Sequence, residues 1–157
     1  GSVVDPVLHG GAGFCLLQTM RAHSAETVQL LARLQELAAA AYASLPEPAD
    51  ILHYDFNPAN ILVDAGQVSG VVDGEGVRAG DRAFDLATLL FYAYDAPAAR
   101  AALWSWLRGH RPRPVIAAYL AHVILRQVEW SLRLHTPELG RLYLDRADRV
   151  LRDLSEA

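Results

Sequence analysis

The chain has 157 residues, 52% of them hydrophobic, and a formal net charge of −4 with one cysteine. That length supports a proper hydrophobic core. The acidic balance gives no electrostatic case for nucleic acid or an anionic membrane, and one thiol excludes an internal disulfide. The longest apolar run, Val115–Leu125, contains Tyr119 and His122 and ends at Arg126, short of a membrane span. No basic stretch followed by an apolar one marks a signal peptide, so the expected compartment is the cytoplasm. Gly1-Ser2 reads as a scar of tag removal, with residues 3–157 as one structural unit. All 14 basic residues are arginine, and lysine is absent.

In chain order, residues 3–17 read as irregular or extended. Gly10-Gly11-Ala12-Gly13 reads as a turn, since no Lys or Ser/Thr follows in a phosphate-loop pattern. Val28, Leu31, Leu34, Leu37 and Ala38 recur at helical spacing and predict a helix over 24–44, started by Ser24 with Glu26 and Thr27 and stopped by Pro46 and Pro48. Ile51-Leu52 lead into a loop whose Asn57-Pro58 step favours a turn. Ile61–Val63 and Val68–Val72 read as short strands around Asp64-Ala65-Gly66-Gln67, a hairpin. A helix follows over 82–94, with Phe84, Leu86, Ala87, Leu90 and Phe91 on one face and Asp81 as its cap. Pro97 separates it from a helix over 98–108. Residues 109–114 read as a loop, 115–134 as a long buried helix and 137–154 as a last helix. The expected fold class is α+β, predominantly helical, with one β-hairpin beside the motif loop.

Chemistry concentrates in one stretch. It runs His53-Tyr54-Asp55-Phe56-Asn57-Pro58-Ala59-Asn60-Ile61-Leu62, then Val72-Asp73-Gly74-Glu75, then Gly80-Asp81-Arg82-Ala83-Phe84-Asp85-Leu86-Ala87. Asn60 lies five residues after Asp55, and Asp73 lies thirteen after Asn60. Taken singly, each of the three reads as a turn residue. Together they supply what phosphoryl transfer asks for: a carboxylate to orient and deprotonate a hydroxyl, and two oxygen ligands for Mg²⁺. The hairpin accounts for the gap, because it goes out and returns Asp73 toward Asn60.

Residues 51–88 closely resemble the aminoglycoside phosphotransferase and choline kinase-like family, relatives of the protein kinases. Members typically show His-Gly-Asp-x-x-x-x-Asn-x-Leu, then Ile-Asp-Trp/Phe-Glu, then Gly-Asp-Pro-x-x-Asp-Leu-Ala. The resemblance implies Asp55 as catalytic base, Asn60 and Asp73 as Mg²⁺ ligands, and His53 and Asp85 as supports of the catalytic loop. It also implies ATP or GTP as phosphoryl donor and a small-molecule acceptor hydroxyl, with antibiotic resistance among the family's roles. Tyr54, Gly74 and Arg82 depart from the pattern at the walls of the site. Glu75 stays open between a contact to substrate or a second metal and a solvated loop carboxylate. In relatives that take cationic acceptors, acids and aromatics of the late helices line the acceptor pocket; Glu129, Trp130 and Glu138 occupy such positions, although helical spacing alone makes them packing residues. The other histidines show no ligand spacing, and the Arg111–Pro114 loop reads as solvated.

The family's N-terminal lobe brings a sheet over the adenine and a Lys to the phosphates. Neither is visible here, so the chain reads as the C-terminal lobe alone. Two functions follow as expectations: the catalytic lobe of a small-molecule O-phosphotransferase, or a non-catalytic binding module on the same scaffold. In either case the lobe alone is expected to be inactive, with an uncovered face open to pairing with another copy.

Overall fold

The structure, a computed structural model, describes residues 2–156. Gly1 of the Gly1-Ser2 pair lies outside them. The chain divides into two compact units, Gly1–Leu45 with Pro112–Ala157, and Pro46–Arg111.

The first unit is helical: α1 (Asp5–His9), α2 (Leu17–His23), α3 (Ala25–Ala41), α6 (Arg113–Leu134) and α7 (Pro137–Ser155). α6 is its core. Every residue from Val115 to Leu125 is buried, and the helix packs against α1, α2, α3 and α7. An all-round apolar helix needs such an all-round lining. α3 starts as the sequence predicts. The Ser24 hydroxyl accepts the Thr27 N–H at 3.2 Å and the Thr27 hydroxyl accepts the Ser24 N–H at 3.1 Å, a reciprocal cap contributing about 1 kcal/mol. Its buried line is Thr27, Leu31, Leu34, Ala38 and Ala41, alternating steps of four and three. Val28 sits off that line and is exposed, so the apolar stripe is narrower than the sequence suggested. α7 buries Leu144, Ala147, Val150, Leu151 and Leu154, and its outer face carries the pairs Arg141–Asp145 and Arg152–Asp148.

Three expectations about this unit need correction. Residues 5–9 form a helix, with Pro6 in its first turn where a missing N–H costs nothing. α2 precedes α3 with only Ser24 between them. The loop expected over 109–114 shrinks to Arg111 and Pro112, because the preceding helix, α5 (Pro97–His110), runs on through Gly109 and Pro114 sits in the first turn of α6. The glycine run does form a turn, with Gly10 and Gly13 at φ +88° and +85°.

The second unit holds β1 (Asp50–Leu52), β2 (Ile61–Asp64), β3 (Gln67–Val71), β4 (Arg78–Gly80), α4 (Ala83–Tyr92) and α5 (Pro97–His110). β2 and β3 are the expected hairpin, paired antiparallel with an irregularity between Leu62 and Val63. Its connection is Ala65-Gly66 alone, both at positive φ, which matches the right-handed twist of the strands. A second antiparallel pair, β1 with β4, was not foreseen; its register joins Ile51 to Ala79. It brings the start of the motif loop beside the start of α4. There the Asp81 carboxylate accepts the Ala83 N–H at 3.1 Å from one residue ahead of the N-cap position, which Arg82 occupies with no side-chain cap, so Asp81 supports the helix start without being the cap the sequence suggested. It also takes both Arg111 guanidinium contacts at 2.6 Å, so Arg111 is an internal anchor and not a solvated loop residue.

Candidate active site

The motif residues all lie in the unit Pro46–Arg111, and their hydrogen bonds form one connected circuit. Asp85, in the first turn of α4, accepts the His53 N–H at 2.7 Å and the Tyr54 N–H at 2.9 Å, one on each carboxylate oxygen. The His53 Nε2–H donates to the Val72 carbonyl at 2.7 Å. The Val72 N–H donates to the Asn60 carbonyl at 3.0 Å. The Asn60 side-chain Nδ2 donates to the Asp55 carbonyl at 2.9 Å, and the Asn57 N–H reaches the same carbonyl at 2.9 Å. The circuit therefore passes from α4 to the loop, to the end of the hairpin, to the foot of β2 and back to Asp55. Local chemistry builds the rest: Asn57 Oδ1 accepts the Ala59 N–H at 2.9 Å, starting a short 3₁₀ turn at Pro58 that delivers Asn60.

Burial separates the residues. Asn60 is buried, Asp55 and His53 are half-buried, and Asp73 and Glu75 are exposed. Burial raises the carboxyl pKa of Asp85, while the His53 and Tyr54 N–H groups work against that rise. His53 Nδ1 is buried without a hydrogen-bond partner. Asp73 stands at φ +62°, ψ +48°, a left-handed conformation that Asp tolerates better than most residues.

As a metal site, Asn60 and Asp73 offer an amide and a carboxylate, hard oxygen donors of the kind Mg²⁺ takes. Committing Nδ2 of Asn60 to the Asp55 carbonyl leaves Oδ1 as the amide atom for a cation. Among the described residues no three His, Cys, Asp or Glu side chains form a metal-binding group. The donors thus fit a Mg²⁺ that keeps waters and draws further oxygens from phosphates, and not a closed protein cage.

The acceptor candidates lie in the helical unit. Glu129 is fully buried; its Oε1 takes the Arg133 Nε at 2.6 Å and the Thr19 hydroxyl at 3.2 Å. Glu129 Oε2 is buried without a hydrogen-bond partner. Trp130 is 41% exposed, with the Arg133 guanidinium over its ring. Glu138, in the first turn of α7, is exposed.

Sequence reasoning placed Tyr54 at a wall of the site and missed its left-handed backbone and its packing. It is 4% exposed and stands at φ +72°, a region costing an L-residue about 1–3 kcal/mol. Its ring stacks on Phe84 with centroids 5.2 Å apart, and the Arg78 guanidinium carbon lies 3.7 Å from its centroid on the way to a hydrogen bond with the Gly76 carbonyl. The available signal was the Gly that the family pattern places here, since an invariant Gly position marks positive φ.

The profile of the phosphotransferase enzyme family (APH) matches residues 11–121. Among solved structures, a thermostable mutant of aminoglycoside phosphotransferase APH(4)-Ia in its apo form superposes with a TM-score of 0.71 at 22% identity, over 96% of this chain and 50% of that one. A ternary complex of such a mutant with AMP-PNP and hygromycin B gives 0.75 at 19% identity, over 95% and 50%. One with ADP and hygromycin B gives 0.73 at 18%, over 95% and 50%. No curated protein sequence matches. The present chain spans about half the length of these solved relatives, and at such identities they establish the kinase-like fold. No helix among the described residues is long and apolar enough to cross a membrane. The family profile covers most of the chain, including the whole motif stretch, and the chain belongs to the phosphotransferase enzyme family.

Proposed function

We propose that this chain carries the catalytic residues of an ATP- or GTP-dependent small-molecule O-phosphotransferase. The observation that supports the reading is the circuit itself, which ties the loop of Asp55, the amide of Asn60 and the strand end before Asp73 into one hydrogen-bonded frame. In this reading Asp55 accepts the proton of an acceptor hydroxyl. The hydroxyl oxygen forms a new bond to the γ-phosphorus as the bridge to the β-phosphate breaks, giving a phosphate ester and the nucleoside diphosphate. Asn60 Oδ1 and the Asp73 carboxylate would hold Mg²⁺, which neutralises phosphate charge when bound. Asp85 and His53 hold the loop so that Asp55 is not free to turn away, and rigid placement is most of the catalysis such a reaction needs.

The donor reading is supported by the relatives solved with AMP-PNP and ADP, and the acceptor reading by their hygromycin B. An aminoglycoside is therefore the first acceptor class to try, with drug inactivation as its consequence, ahead of amino alcohols, amino acids, macrolides and sugars. Glu75, exposed in the same unit as Asp55, is the acid to test against a cationic acceptor. Asp55→Asn, made in the protein that carries this chain, is expected to lower turnover about 10²–10⁴-fold without altering the fold. Near-normal turnover by that variant would remove Asp55 from the role.

The binding-module reading has one observation in its favour: with no lysine anywhere, this chain cannot itself bring a Lys to the phosphates. The chain on its own is expected to bind Mg²⁺-ATP weakly. Micromolar affinity by calorimetry, lost in Asp73→Ala, would contradict that.

A further inference from the structure

The ring of Tyr54 touches both halves of the motif, and nothing in the mechanism above uses it. Its backbone N–H is held by Asp85, and the next residue is Asp55. One face of the ring lies on Phe84 of α4, nearly parallel at 12°. The Arg78 guanidinium of β4 also lies over the ring, 3.7 Å from its centroid, and its Nε donates to the Gly76 carbonyl at 3.1 Å. Gly76 ends the 3₁₀ turn that begins directly after Asp73. A Cβ placed on Gly76 would stand 3.3 Å from the His53 carbonyl oxygen and 3.5 Å from Tyr54 Cβ, so the turn's backbone lies against the base of the tyrosine. The ring thus meets both Phe84 of α4 and Arg78, and Arg78 is bonded to the turn that follows Asp73.

We propose that Tyr54 is a positioning residue: its clamped ring fixes the separation between the loop that presents Asp55 and the turn that presents Asp73. The inference rests on the phosphotransferase reading for its catalytic consequence, though the clamp itself does not. A residue whose only job was to permit the left-handed turn would be Gly, which adopts φ +72° without strain. A large side chain is held there against that strain because the stack compensates for it. The ring's contribution is planar and rigid, with two χ angles to fix, whereas a Gly at this position would leave the space beside Phe84 and Arg78 unfilled and the Arg78 guanidinium without its platform. The phenol oxygen is not part of the argument. A small displacement between a base and the ligands of the transferring group is costly, about 10²-fold for roughly 1 Å.

Hydrogen exchange tests the clamp without any substrate. Tyr54→Phe keeps the stack, Tyr54→Leu fills the volume without a planar face, and Tyr54→Gly removes both the ring and the strain. Expected is wild-type exchange over residues 53–57 and 73–78 in the Phe variant, and exchange faster by about tenfold or more there in Leu and Gly, with the β2–β3 hairpin unchanged. Kinetics of the longer protein that carries this chain, with Mg²⁺-ATP and hygromycin B, then separate the roles: kcat falls about 10–10²-fold in Leu and Gly with KM for ATP nearly constant, and Phe restores it. Unchanged exchange over 73–78 in the Gly variant, or a Leu variant equal to wild type in exchange, overturns the clamp. If the longer protein that carries this chain transfers phosphate to no acceptor while the exchange pattern holds, the phosphotransferase reading is refuted and the clamp stands.

Discussion

The two units of this chain are stabilised by different means. In the helical unit, α6 buries eleven consecutive residues, Val115 through Leu125, and α3 and α7 add regular apolar stripes. In the site unit the strands are three to five residues long, and Ile51, Leu62, Val63, Val68, Val71, Val72 and Val77 are all exposed. Order there comes from α4 and from specific polar contacts: Asp85 on two loop N–H groups, His53 on Val72, Asn60 on Asp55, Arg111 on Asp81. Of the four non-glycine residues at positive φ among the described residues, Tyr54, Ala65 and Asp73 lie in the site unit and only Cys15 in the other. The difference shows where a fold can store strain. The packed helical unit holds one such non-glycine residue, while the polar frame on its rigid scaffold holds three, in loops kept in conformations they would not choose.

The sharpest break of that comparison comes from the helical side. Leu34→Ala in α3 removes a side chain with no solvent exposure and is expected to cost about 2–5 kcal/mol, measured by denaturant unfolding. Exchange at residues 53–57 should keep its wild-type pattern under native conditions, because no circuit residue is touched. Asp85→Asn tests the other side. The amide can accept only one of the two loop N–H groups and leaves the second facing an NH₂, a loss of about 1–3 kcal/mol. Its signature should be local, with faster exchange at His53 and Tyr54 exceeding any change in α3 or α6. A global loss equal to that of Leu34→Ala would mean that the frame is not a separate device.

Acid should act with opposite signs inside the site unit. The guanidinium and backbone N–H of Arg82 hold the Asp50 carboxyl down at about 2. A depressed acid contributes stability that is complete above its unfolded pKa, about 3.9, and is lost as pH falls through about 2. Asp85 is raised by burial, so its contribution runs the other way: it favours the folded state more at low pH and less as pH rises through its folded value. Asp50→Asn should flatten the stability profile between about pH 4 and 2, and Asp85→Asn should steepen the loss of stability on acidification in the range above the unfolded Asp value of about 3.9, as read by thermal unfolding at each pH. These are the smallest effects, since Arg82 is 65% exposed and solvent screens the pair.

Legibility followed the same divide. α3, α6 and α7 were readable because seventeen to twenty-two residues carry enough periodicity to announce themselves. α1 and α2, with five and seven residues, do not, and the glycine run between them reads as the start of irregular chain. The hairpin was readable from Ala65-Gly66 between valine-rich runs, but β1 with β4 was not, because three-residue strands separated by the whole motif leave no local signature. The Asp81–Arg111 pair spans thirty residues and is invisible to any local pattern. The motif residues themselves were legible by spacing and resemblance. How they are wired was not, apart from the support expected of His53 and Asp85. Glu129 shows the limit most plainly: one carboxylate on a helix reads the same whether it meets a ligand or, as here, Arg133.

The central claim is that Asp55, Asn60 and Asp73 form one site with divided labour, and a nucleotide titration of the protein carrying this chain tests it most directly. ATP affinity is measured with and without Mg²⁺ for wild type, Asp73→Ala and Asp55→Ala. The account predicts that Asp73→Ala loses the Mg²⁺-dependent part of the affinity, while Asp55→Ala keeps it and loses turnover alone. Equal Mg²⁺ dependence in all three proteins would contradict the metal assignment, and its loss in both variants would contradict the division of roles.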